Sequence, residues 1–298
     1  MTRRPIVIIE APTNLGLMPP APGQEPGTRH APDVLRELGL HDQLNVREVV
    51  RVEPGPYSKD EGRSINIRNV EAIAEHALRL SDAIETAIMA GGLPLVLGGD
   101  CSLLIGSMLC MRRLGEPALL FIDGHSDFFL PEQSSTGGAA GMDLALATGW
   151  GPPELTDLEA RRPYVPAGHV AALGNRDFNR RREADIPDIA DAGFYYRSLV
   201  DMRHEGIERA TGKAVAAITS NSRRCWIHLD VDAIDSALMP AVDSPQADGF
   251  SWTEIEKLLR AAQPYDAAGM QVTIYDPERD PGHTAGKALV DLLVSVLG

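Results

Sequence analysis

The residues best equipped for chemistry lie in three short stretches, each set directly after an apolar run. Leu120-Phe121-Ile122 leads into Asp123-Gly124-His125-Ser126-Asp127. Leu95-Val96-Leu97 leads through Gly98-Gly99 into Asp100-Cys101-Ser102, and Ile227-His228-Leu229 into Asp230-Val231-Asp232. In an extended segment the side-chain period is two, so Asp123, His125 and Asp127 are expected on one side of the chain. Carboxylates and an imidazole converging at a strand end are what a divalent ion such as Mn²⁺ or Zn²⁺ requires. One such stretch also reads as a polar loop whose aspartates cap a helix. Three of them, each at the carboxyl end of an expected strand, favour a metal.

The elements that must position these groups alternate along the chain. Pro5–Glu10, Val46–Val52, Leu93–Leu97, Ala118–Ile122, Val170–Gly174, Gly193–Tyr196, Cys225–Asp230 and Gly269–Ile274 read as strands, several of them unbroken apolar runs of the kind buried on both faces. Between them, Ile73, Ala77, Leu80, Ile84 and Ile88 recur at helical spacing, and Gly91-Gly92 ends that helix. Further helices are expected over residues 31–38, from Leu103 to about Leu114, after the capping box Ser251-Trp252-Thr253-Glu254, and from Thr284 to Leu297. Strands alternating with helices predict a mainly parallel sheet covered on both faces, with sites at the carboxyl ends of the strands. Residues 12–27 form a Pro/Gly-rich loop of a length that is usually functional or disordered. No composition break divides the 298 residues, so a single domain over 1–298 is expected.

With 42 acidic against 28 basic residues the net charge is −14, which argues against a nucleic-acid groove or an anionic membrane as partner and leaves a small-molecule substrate. Three cysteines without C-x-x-C spacing suggest a reducing compartment, and no apolar stretch is long enough to span a bilayer, so a cytoplasmic location is expected.

Taken in order, these motifs resemble those of the arginase/agmatinase (ureohydrolase) family. Gly98-Gly99-Asp100-Cys101-Ser102 is similar to its G-G-D-H-S, Asp123-Gly124-His125-Ser126-Asp127 to its D-A-H-x-D, and Asp230-Val231-Asp232-Ala233-Ile234-Asp235 to its D-x-D-x-x-D. The resemblance implies a three-layer α/β/α fold and a pair of Mn²⁺ ions bridged by hydroxide, which attacks the trigonal carbon of a guanidinium. On that pattern Asp123 and Asp230 bridge both metals, Cys101 and Asp127 complete one position, and His125 and Asp232 complete the other. Asp127 is then catalytic as well as a ligand. A trimeric or hexameric homo-oligomer is implied by the resemblance alone.

Four departures bear on metal and substrate. Cys101 stands where the family has a histidine, so that position is expected to hold Mn²⁺ weakly or to prefer Zn²⁺ or Fe²⁺; alternatively Cys101 is only a small buried hydrophobe. Phe129 and Ala140 occupy the places of the family's asparagine and proton-shuttling histidine. Ile274 stands for the glutamate that grips the guanidinium, and Asn179 for an acid of the G-x-R-D-x-D segment. Thr136, Asn179 and Ser244 remain as expected substrate contacts, and His283, with His30 as alternative, as the replacement proton shuttle. His228 shares a strand face with Asp230 and reads either as support for the centre or as a satisfied core histidine. Three functions stay open: hydrolysis of a guanidino- or amidino-type C–N bond, including a modified guanidine such as hydroxyarginine; hydrolysis of a linear amide or formimino compound; and a catalytically silent relative.

Overall fold

In the computed structural model the described residues are 3–58, 65–177, 189, 192–219, 224–263 and 266–298. They form a parallel sheet of eight strands: β1 (Ile6–Ala11), β2 (Val46–Arg51), β3 (Leu93–Gly98), β4 (Pro117–Ile122), β5 (Val170–Leu173), β6 (Tyr195–Arg197), β7 (Arg224–Asp230) and β8 (Gly269–Thr273). Their order is β2-β1-β3-β8-β7-β4-β5-β6. Each strand expected from an apolar run is present, with its bounds shifted by two residues at most.

The alternation of side chains along the strands sorts the interior into two layers. Ile6, Ile8, Leu95, Leu97, Leu120, Ile122, Ile227 and Leu229 pack against the helices Ala31–Glu37, Ile207–Ile218, Trp252–Ala262 and Thr284–Leu297. Val7, Ile9, Val96, Leu119, Phe121 and Trp226 face the helices Val70–Met89 and Leu103–Arg113 on the other side. The result is the three-layer α/β/α arrangement. At one edge β2 carries Arg47, Glu48 and Arg51 and is mostly solvent-exposed, the charged edge that discourages pairing with another chain.

Local chemistry sets the helix ends. Ser251 Oγ accepts the Glu254 amide at 3.2 Å, while Glu254 Oε2 accepts the Ser251 amide at 2.9 Å, the expected capping box. The helices Leu199–Glu205 and Ile207–Ile218 are not evident from the apolar pattern. They are separated at Gly206, whose φ of +93° only glycine adopts readily. No helix among the described residues is long and apolar enough to cross a membrane.

β3, β8, β7 and β4 are consecutive neighbours and all parallel, so the loops leaving their carboxyl ends emerge side by side. Those loops begin with Gly99, Ile274, Val231 and Asp123, and Asp100 follows Gly99. The sheet order therefore gathers all three ligand-bearing stretches at one edge.

Candidate metal centre

The strand-end aspartates each divide their two oxygens between two tasks. Asp100 Oδ1 accepts the Ser102 amide at 2.9 Å, Asp123 Oδ1 the His125 amide at 2.6 Å, and Asp230 Oδ1 the Asp232 amide at 2.6 Å. This is the Asx turn, in which a short carboxylate satisfies a backbone donor two residues on and bends the chain out of the strand. The other oxygen is left facing inward. Oδ2 of Asp123 and of Asp100 are both buried with no hydrogen-bond partner.

The segment from Asp123 to Asp127 is not extended as its alternation suggests. It bends at Gly124-His125, and Asp127 lies in the left-handed region at φ +42°. Its ligands converge even so, because a turn folds them onto one point. One atom each of Asp123, His125 and Asp127 lie within 4.8 Å of one another, and so do those of Cys101, Asp127 and Asp230. Asn175 fastens the turn, its side-chain amide donating to the carbonyls of Asp123 and His125. Asp177 Oδ2 accepts from the Ser126 amide and hydroxyl at 3.0 and 2.9 Å. Arg176 ties the β7 loop across the site through the carbonyls of Asp232, Ala233, Gln246 and Ala247.

Charge is concentrated here at high cost. Burial, reinforced by the neighbouring carboxylates, pushes Asp123 and Asp230 well above the usual carboxylate range. Burial also opposes ionisation of Asp232, but His125 and Arg176 outweigh it and hold its pKa below the ordinary value. His125 Nδ1 meets Asp232 Oδ2 at 2.8 Å; burial works against its charge, yet Asp232 and Asp127 lift the ring to about 9. Its Nε2 has no partner. Cys101 Sγ lies 2.8 Å from Asp230 Oδ2 and 3.2 Å from Thr273 Oγ1. Burial, then the Asp230 charge, pushes its thiol well up, so without a cation it remains protonated and donates to Asp230. Cys101 thus faces the cluster.

Above these groups opens a pocket of about 130 Å³ lined by Cys101, His125, Asp127, Asp230 and Asp232 on its floor. Thr136, Ser244, Phe129, Ala140 and Ile274 line its walls, as does the stretch Gly16-Leu17-Met18 of the Pro/Gly-rich loop. Ile274 is held at φ +74°, a strained conformation for a β-branched residue, by its amide's 2.8 Å bond to the Gly99 carbonyl. Gly99 itself admits no side chain, since a Cβ there would stand 2.5 Å from the Thr13 carbonyl oxygen.

Two of the expected residues are placed elsewhere. His283 precedes the final helix, partly buried, and is not among the residues lining the pocket; His30, also partly buried and outside that lining, is 3.6 Å from Glu278. Asn179 lies outside the described residues. Three residues gain a place the motifs do not announce. Asp243 lines the pocket beside Ser244. His228 is wholly buried, stacked on Phe121 at 4.7 Å, with Nε2 4.0 Å from Asp123 Oδ2, and burial keeps its ring neutral, pushed down to about 3. Asp143, also wholly buried, comes within ligand distance of Cys101 and His228. Period two along β7 points to His228, whereas nothing in the local pattern marks Asp143 or Asp243.

Comparison with known proteins bears on the whole chain. The Arginase family model matches residues 4–298. An arginase of Bacillus caldovelox is 26% identical over 306 residues, covering 99% of this chain and 98% of that protein. The solved structure of arginase from the same organism superposes with a TM-score of 0.87 at 24% identity, covering 99% and 98% of the two chains. Proclavaminate amidino hydrolase from Streptomyces clavuligerus superposes at 0.72 with 18% identity, covering 99% and 92%.

Proposed function

This chain belongs to the arginase family, and on that premise we propose that it hydrolyses a C–N bond of a guanidino- or amidino-type small molecule at a divalent-metal centre. The observation that carries this reading is the set of buried, partnerless atoms converging on one point, Asp123 Oδ2 and His125 Nε2 among them. Buried charges are tolerated when paired or when they coordinate metals, and the donor set suits two ions. Asp123, Asp127, Asp230 and Asp232 with His125 and Cys101 would hold them. Mn²⁺ suits the carboxylates, and the sulfur admits Zn²⁺ or Fe²⁺. Bound there, such ions balance the carboxylates and acidify water, supplying a nucleophile near neutral pH.

The chain's own residues do the remaining work. Asp127 is only partly buried and reaches both the cluster and the pocket, so its carboxylate is the group that passes a proton between them. Thr136 and Ser244, both lining the pocket, offer hydroxyls to orient the substrate, while Phe129, Leu17 and Ile274 limit water. Ile274 cannot pair with a cation. Asp243, which also lines the pocket, supplies the acidic contact instead, and a single such contact favours a weakly basic head such as an N-hydroxyguanidine over a fully charged guanidinium.

The test is a release assay for urea, hydroxyurea, formamide and ammonia over a panel of guanidino, hydroxyguanidino and formimino compounds, with Mn²⁺, Zn²⁺ and Fe²⁺ in turn. Hydroxyurea or urea release is the expected result. Formamide from a formimino compound, with no urea or hydroxyurea from any guanidine, would move the substrate to that class. A folded, metal-loaded protein that turns over nothing would overturn the reading.

A further inference from the structure

Asp143 and His228 are buried at the centre but have no part in the ligand set described above. Both are 0% exposed. Neither oxygen of Asp143 has a hydrogen-bond partner, its only relief being the adjacent Leu144 amide, and His228 Nε2 has none either. Ligand atoms of Cys101, Asp143 and His228 lie within 4.8 Å of one another. A carboxylate sealed from water with both oxygens unanswered is a costly arrangement that a cation removes.

The histidine and the aspartate are not equivalent. Trp226 Nε1–H can only donate, and it gives its proton to Gln271 Oε1 at 2.9 Å. That fixes the amide so that its NH₂ faces His228 Nδ1 at 2.7 Å. Nδ1 therefore accepts, and the neutral ring carries its one proton on Nε2. A nitrogen bearing a proton has no lone pair for a metal. His228 thus presents a donor to the cluster, aimed toward the open oxygen of Asp123, and Asp143 is left as the ligand.

We propose that Asp143 is a further metal ligand, completing the position that Cys101 shares with Asp127 and Asp230. The inference rests on the metal-centre reading above. It reverses one expectation from the motifs: with a hard oxygen donor added beside the sulfur, the Cys101 position is filled rather than weakened, and the protein holds two ions per chain. His228 is a positioning residue, locked by Trp226 and Gln271 as an Nε2–H donor.

Metal content and affinity of the full chain, stripped and reloaded with Mn²⁺ or Zn²⁺, test this against Asp143→Asn, which keeps shape and removes charge. One of the two ions should bind at least about tenfold more weakly in the variant. The metal-free variant should melt no lower than the metal-free wild type, because neither Asp143 oxygen makes a side-chain hydrogen bond that the substitution would break. Equal affinity for both ions, or a metal-free variant that melts lower while binding normally, overturns the inference and makes Asp143 structural. Should Asp143→Asn fail to fold, the wild type alone decides, since one tightly held ion per chain overturns the proposal and two support it. A wild type that binds no ion overturns the metal-centre reading itself, and is distinct from wild type and variant binding two ions alike.

Discussion

The floor of the pocket and its walls are built on different principles. On the floor, Asp123 and Asp230 stand at the ends of adjacent strands, and each carboxylate is pinned by an amide two residues away. The walls come from residues 16–18, 129–141 and 243–244 with Ile274, where loops pack on loops. The floor keeps five family-like residues at the proposed ligand positions and changes one, Cys101. The walls change most of what would grip a cation. A rigid sheet edge tolerates little variation in what it presents, whereas loops can be rewritten while the scaffold stands. On the function proposed above, the same floor is thereby offered to a different substrate.

Substitutions can break that contrast, and the largest effect belongs on the floor. Asp230→Ala should abolish turnover and weaken metal binding by more than about 100-fold, since even supporting residues of metal sites cost 10–100-fold; binding assays that show wild-type affinity would remove Asp230 from the ligand set. Cys101→His should raise affinity for Mn²⁺ relative to Zn²⁺ by about tenfold, by exchanging a soft donor for a borderline one. An unchanged ratio would mean that the sulfur does not reach the ion.

On the walls, Ile274→Glu should raise kcat/KM for an unmodified guanidine roughly tenfold and leave metal content unaltered, a hydrogen bond to a charged partner being worth about 1.5–3 kcal/mol. Asp243→Asn should lower the same parameter by a similar factor, and if neither variant moves it the walls do not select for charge.

The smallest effect is a shift in melting. His125 is raised to about 9 in the folded chain from an ordinary 6.5, so its contribution to metal-free stability is complete below pH 6.5 and is lost as the pH rises through about 9. Asp123 and Asp230, also raised, disfavour the fold once ionised and act in the same direction. Metal-free protein should therefore lose stability from pH 6 to 9, and the rise in melting temperature on adding Mn²⁺ should widen across that range, by about 2–4 °C for each kcal/mol. A metal-induced rise independent of pH would show that protons and metal do not compete.

The strands and the floor were legible because their signals are local and periodic. Apolar runs marked β1, β3, β4 and β7, and ligands spaced by two at their ends marked Asp123, His125, Asp127, Asp230 and Asp232. The reason those ligands converge was not legible, because the bend at Gly124 and the left-handed Asp127 depend on Asn175, distant in sequence. Asp143 lies among small and apolar residues in Gly141-Met142-Asp143-Leu144, and only folding reveals that it points at Cys101. Asp243 is hidden for the same reason, as one acid in a loop. His228 fell between the two cases: period two placed it on the right face, but its tautomer is set by Trp226 and Gln271 across the sheet.

The Asx turns beneath the ligands bear on how quickly ions come and go. Each strand-end aspartate is bent by its own bond to the backbone, which needs no metal to form. An ion leaving the site then removes a ligand from a scaffold that is already shaped, rather than releasing a loop that must be rebuilt. Chelation should strip the protein with its circular dichroism unchanged, and reloading should follow simple bimolecular kinetics, without a slow conformational phase. With the centre proposed above, the protein would trade one divalent ion for another as their supply changes, and its activity would then report on the metals around it as much as on its substrate.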